Sequence, residues 1–214
     1  KRLGQMQRSG WDSLDLEQRV LTHFAVAGLI EESLPQGAVW HCLQMGRLIH
    51  RSQVLIHSIV DGIADQHMPD DTLLSYLALR MDCPAPSADS GTHLWNVHQV
   101  FQAVLKEGKN PKSLESSFTR MAQHVEGLPV PEDLKRDHER IRMALNRISN
   151  DLAFLDVHAM IGDDPEDHFS NISGFFIRQR DEIAGLVASI ENYLNLFQTY
   201  LRNLPEDSVF EFDH

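Results

Sequence analysis

Residues 134–159 read LKRDHERIRMALNRISNDLAFLDVHA, and residues 176–201 read FIRQRDEIAGLVASIENYLNLFQTYL. In the first stretch apolar side chains fall at Leu134, Ile141, Leu145, Ile148, Leu152, Leu155 and Ala159. In the second they fall at Phe176, Ile183, Val187, Ile190, Leu194, Phe197 and Leu201. Steps of three, four and seven keep a single stripe on one face of an α-helix, which turns once in about 3.6 residues. The acidic stretch 161–171 between them can turn the chain. The pattern predicts two long helices lying antiparallel, each stripe buried against the other and the rest of the domain. The fold class that follows is all-α: a multi-helix bundle with a long C-terminal antiparallel helical hairpin.

Working outward from that hairpin, the same period recurs upstream. Ser13 is a plausible cap for a helix reaching about Ser33, with Leu14, Leu21, Phe24, Leu29 and Ile30 expected inward. Pro35 and Gly37 end it. A helix over 38–67 carries Cys42, Met45, Ile49, Ile56, Val60 and Ile63 on its centre line, widened by Leu48, Leu55 and Ile59. A stripe that wide predicts more than one packing neighbour. The opposite face shows Arg47, Arg51, Ser58 and Asp65. A short helix over 71–81 carries Leu73, Leu74, Leu77 and Leu79. Residues 83–92, with two prolines, a glycine and small polar side chains, cannot hold a helix. Thr92 then caps a predicted helix over 93–107, and Pro111 opens another to about Val125. No segment alternates apolar and polar long enough to predict a strand. The organisation expected is an N-terminal helical half (1–82), a linker or loop (83–92), a C-terminal helical half (93–203) and an acidic tail (204–214). The two halves can equally share one core.

The totals exclude several function classes. With 19 basic against 31 acidic residues, the formal net charge of -12 repels phosphate backbones, so no nucleic-acid partner is expected. No apolar run reaches the roughly 18 residues a membrane span needs. The two cysteines, Cys42 and Cys83, make neither a disulfide framework nor a zinc pattern, and an intracellular, cytoplasmic setting is expected. Lys1 in place of Met is the expected mark of a trimmed chain or a fragment.

Twelve histidines make metal binding worth testing. No histidine on the predicted helices follows a Glu by three positions, and no two histidines are four apart, so the helical di-metal and zinc spacings are missing. The densest polar cluster is Asp156, His158, Asp163, Asp164, Glu166, Asp167 and His168. Its Asp163-Asp164-Pro165-Glu166-Asp167 satisfies the letters Asp-Asp-x-x-Asp, which hold magnesium in prenyl-transferring helical enzymes. Asp163, Asp164, Asp167 and His168 are thus the candidate ligands for Mg2+ or Ca2+. Pro165 places them in a turn rather than on a helix facing a cavity. A solvated turn capping the last helix is the preferred reading, and no cofactor is expected.

Two polar residues interrupt the long stripes, His138 and Arg180. A charge in an apolar seam needs a partner. Arg180 is expected to pair with Asp156 or Asp151 and fix the register, and His138 to meet carbonyls near Leu201. The alternative is a ligand pocket between the helices, with Arg180 holding an anion. The spacing of Arg51 and His57 fits the loose Arg-x(4–6)-His pattern of HEPN ribonucleases, but it sets the two side chains about 120° apart on a helix; no family is assigned from it. Cys42, on its centre line, reads as an inert core thiol. No nucleophile elbow, P-loop or dinucleotide fingerprint is present.

Trp11, Trp40 and Trp95 flank helices, and Phe210 and Phe212 punctuate the acidic tail. These five are the candidate interaction residues. The expected function is a helical protein–protein interaction module, a subunit or adaptor with a protein partner or a second copy of itself. The alternative is a small helical enzyme or ligand-binding protein using His138, Arg180 and nearby carboxylates.

Overall fold

A computed structural model describes residues 16–33, 35, 37–65, 70–84, 95–106, 110–162 and 168–203. Among them every regular element is helical: α1 (Leu16–Ser33), α2 (Ala38–Ala64), α3 (Asp70–Arg80), α4 (Val97–Lys106), α5 (Leu114–Glu126), a 3₁₀ turn (Glu132–Leu134), α6 (Lys135–Phe154), α7 (Val157–Ile161) and α8 (His168–Asn203). The all-α expectation holds.

Four helices close a ring. The long, wide-striped α2 packs on both α5 and α8, and α6 closes the ring by packing on the same two. Neighbours run in opposite directions. His41 meets His124 across α2 and α5. Asn192 meets Asp137 and Glu182 meets Arg147 across α8 and α6, so numbers rise on one helix as they fall on the other. The width of the α2 stripe is thereby explained: it faces two helices at once, burying Met45, Leu48, Ile49, Leu55, Ile56, Ile59 and Val60. At one end α3, α4 and α7 cover the ring. Gly62 permits the close approach of α2 and α3, since a Cβ there would sit 2.7 Å from a Leu73 methyl.

The middle of each stripe is buried as read, whereas Leu155, Val187, Leu194 and Phe197 are only partly buried and Ala159 is exposed. Leu134, Ile141, Leu145, Ile148 and Leu152 on one side, and Phe176, Ile183 and Ile190 on the other, are all under a tenth exposed. Each such side chain contributes about 1.5–3 kcal/mol by leaving water. The core runs unbroken from Met45 to Tyr193, through both of the stretches that flank residues 83–92. The acidic stretch 163–167 and the tail 204–214 lie outside the described residues.

Three local readings are corrected. The first long helix is not continuous to Ala159: it stops at Phe154, Leu155 is extended, and α7 begins at Val157. Asp156 caps α7 by accepting from the Ala159 amide at 3.0 Å. The carbonyls released by the break are taken by a distant lysine, Lys106 Nζ donating to Ala153 O at 2.9 Å and to Leu155 O at 2.8 Å. The helix expected over 93–107 begins at Val97, where Asn96 accepts from a first-turn amide, that of Gln99; Thr92 lies outside the described residues. The helix expected to open at Pro111 begins at Leu114, where Ser113 accepts from the Ser116 amide at 3.1 Å.

Candidate functional site

The largest departure from the sequence reading is α1. Leu21 and Leu29, expected inward, are 60% and 62% exposed, and Val26 is 49% exposed. Among the described residues no other helix is shown in extended contact with α1. Leu21, Ala25, Gly28 and Leu29 are all exposed, and their spacing of four, seven and eight puts them on one face. A Cβ on Gly28 would meet nothing within 4 Å. The face is therefore apolar, open, and lined partly by small residues.

At the start of α2, where the C-terminal end of α5 meets it, polar and aromatic side chains gather. His41 Nδ1 and His124 Nδ1 are 3.1 Å apart. One nitrogen donates and the other accepts, so the bond holds one shared proton. Trp40 sets its ring edge-on to both imidazoles, with centroids 5.1 Å from each. Gly127 gives His41 its room: a Cβ there would lie 2.3 Å from the ring. Burial, then His41 and Arg120, hold His124 below its ordinary imidazole value. Burial pushes the Cys42 thiol up, which keeps it protonated and unreactive. Tyr193, 1% exposed, donates its hydroxyl to the Pro129 carbonyl and ties the α5–α6 connector to α8. Burial first, and Cys42 second, push its phenol up to about 12.

The other sequence candidates scatter. His138 Nε2 donates to the Val125 carbonyl at 2.9 Å rather than to carbonyls near Leu201. Arg180 bonds its own neighbour Asp181 at 3.4 Å, not Asp151 or Asp156, so it sets no register across the seam. The α6–α8 crossing pair is instead Arg147–Glu182, at 3.0 Å. His138 packs near Tyr193, and Arg180 lies 193 − 180 = 13 residues earlier on α8, about 20 Å along the axis. They share no pocket. Arg180 lines a groove of about 320 Å³ with His57, Gln53 and Ile183. Arg51 faces a different groove, beside Leu79 and Arg80, so Arg51 and His57 do not converge. Trp95, partly buried, lines a groove of about 800 Å³ with Lys106 and Asn110. Trp11, Phe210, Phe212, Asp163, Asp164 and Asp167 lie outside the described residues; His168 opens α8. Among the described residues no three His, Cys, Asp or Glu side chains gather as a metal site would require. No described helix is long and apolar enough to cross a membrane.

Against known proteins, the model of the family Alpha-E, described as a predicted alpha-helical domain with a conserved ER motif, matches residues 4–206. The chain belongs to the Alpha-E family. Neither a curated protein nor a solved structure matches it. In this Alpha-E chain the consecutive pair Glu-Arg occurs once, at Glu139–Arg140 on α6. Glu139 binds Arg142 through two 2.9 Å hydrogen bonds, and Arg140 reaches Asp137 at 3.6 Å. Both are ion pairs on one turn of the helix surface, where water screens them. They build no pocket.

Proposed function

We propose that this Alpha-E chain is a helical protein–protein interaction module, a subunit or adaptor that docks α1 onto a helix of its partner. The observation that carries the reading is the open apolar face of α1, Leu21, Ala25, Gly28 and Leu29. A helix of 18 residues is marginal in water without packing on a neighbour. Leaving two leucines in solvent forgoes about 1.5–3 kcal/mol for each. A partner helix supplies both the packing and the apolar cover, and the small side chains of Ala25 and Gly28 let its backbone come close. The Trp40–His41 edge begins two residues after α2 starts, so the docking face adjoins a rigid part of the bundle. A net charge of -12 favours a protein partner over a nucleic acid. An intracellular setting fits a chain with only two cysteines.

The partner tested first is a second copy of this chain. Sedimentation velocity of the whole chain over a range of concentrations is expected to show reversible association. Leu21→Asp with Leu29→Asp is expected to abolish it while leaving the helical circular dichroism of the bundle in place. A chain that stays monomeric throughout that range contradicts the reading.

A further inference from the structure

The flank of α2 opposite the core carries an arrangement that the interaction reading does not use. Arg51 from α2, Arg80 from the last turn of α3 and Lys112 from the turn before α5 line one groove of about 450 Å³, together with Leu55, Leu79 and Met81. No carboxylate is among these six lining residues. Asp82, bonded to Lys112, is the single acid shown at its rim. Arg120, on α5, is near enough to act on Arg51. Arg80 is held in place by donating to the Tyr76 hydroxyl at 2.7 Å, its guanidinium 6.0 Å from the Tyr76 ring centroid. Arg51 is half-buried and donates no hydrogen bond to any described residue. Two guanidiniums and an ammonium line the groove, with Asp82 at its rim, in a protein whose total charge is -12. Such a concentration is repulsive unless an anion occupies it.

We propose that the groove between α2, α3 and α5 binds a phosphate monoester, with Arg51, Arg80 and Lys112 gripping the phosphate oxygens and Leu79 and Met81 facing its organic part. A guanidinium presents a planar fork of donors that matches oxyanion geometry, and several forks suit a dianion better than a monovalent carboxylate. Leu79 is 73% exposed at the groove and supplies apolar surface for the ester group. Arg51, half-buried and without a hydrogen bond to a described residue, has its donors free to turn to the ligand. Burial first, and then the neighbouring charges of Arg120 and Arg80, lower the Arg51 pKa from its ordinary value.

The test is titration calorimetry on the whole chain at fixed ionic strength, with phenyl phosphate, inorganic phosphate and benzoate as probes. Phenyl phosphate is expected to bind one site, more tightly than inorganic phosphate, with benzoate weakest. Arg51→Gln is expected to weaken phenyl phosphate by roughly ten-fold or more, as loss of a charge-assisted hydrogen bond should. Arg136→Gln, on the exposed face of α6, is expected to leave it unchanged. Among the described residues Arg51 has no hydrogen bond to lose, so the variant should fold, and unchanged urea unfolding confirms that; if it unfolds, Arg80→Gln repeats the measurement. Absence of saturable binding to the unsubstituted chain overturns the proposal. So does equal weakening by Arg136→Gln, or benzoate binding as tightly as phenyl phosphate.

Discussion

Tyr193→Phe removes one oxygen atom and nothing else, and the structure says what that oxygen does. The side chain is 1% exposed, and its hydroxyl donates to the Pro129 carbonyl in the connector between α5 and α6. Taking the donor away leaves a part-buried carbonyl with less to bond, at a cost of about 1–2 kcal/mol near neutral pH. The same residue should respond to alkali. Its phenol is raised from 10.0 to about 12, chiefly by burial. The folded state therefore holds the phenolic proton more tightly than the unfolded chain. The stabilising contribution is complete below pH 10 and is lost as pH rises towards 12, with a slope of at most about 1.4 kcal/mol per pH unit. The phenylalanine variant has no proton to lose there. Urea unfolding of both proteins across that range, compared by midpoint at constant m-value, reads the effect. The stability gap between them is expected to narrow above pH 10 and to close by about pH 12. A gap that stays constant with pH, or no cost at neutral pH, would refute the placement of Tyr193 as a buried clamp.

Two further outcomes follow from the same geometry. Phe176→Ala is expected to lose about 3–5 kcal/mol, a large part of a stability of roughly 5–15 kcal/mol, because Phe176 is fully buried with Phe101 of α4 at 6.0 Å and Phe175 at 5.4 Å; thermal unfolding measures it. The His41–His124 pair predicts acid sensitivity: the folded pKa of His124 lies below 6.5, so the unfolded chain binds protons first. Stability should be complete above pH 6.5 and fall as pH drops below it, and His124→Gln should flatten that slope in urea unfolding followed against pH.

What the sequence made legible was whatever depends on one helix burying one face. The stripes of α6 and α8 and the broad stripe of α2 needed only a period and a count of apolar positions, and the structure buries the middle of each. The end of α6 was less legible, since Asp156 and Ala159 spell a capping pair that a reading of stripe alone passes over. The lysine that completes the break, Lys106, is 47 residues from the carbonyl of Ala153, and no local spacing announces it. The face of α1 has the opposite problem. An amphipathic pattern states that apolar residues want cover, but not what covers them, and Leu21 and Leu29 find none within the described protomer. The cluster of Arg51, Arg80, Lys112 and Arg120 comes from two helices, a helix end and a turn. Each member reads alone as a solvated charge, and only the packing of α2 against α3 and α5 places them together.

The measurement that reaches the central claim most directly is amide hydrogen exchange on the whole chain, resolved by segment and repeated at low and high protein concentration. If α1 waits for a partner, residues 16–33 exchange at low concentration with protection far below that of α2 and α8, and protection rises as copies associate. Protection of 16–33 equal to that of α8 in the dilute monomer would show the helix already covered from within, and the docking account would fall.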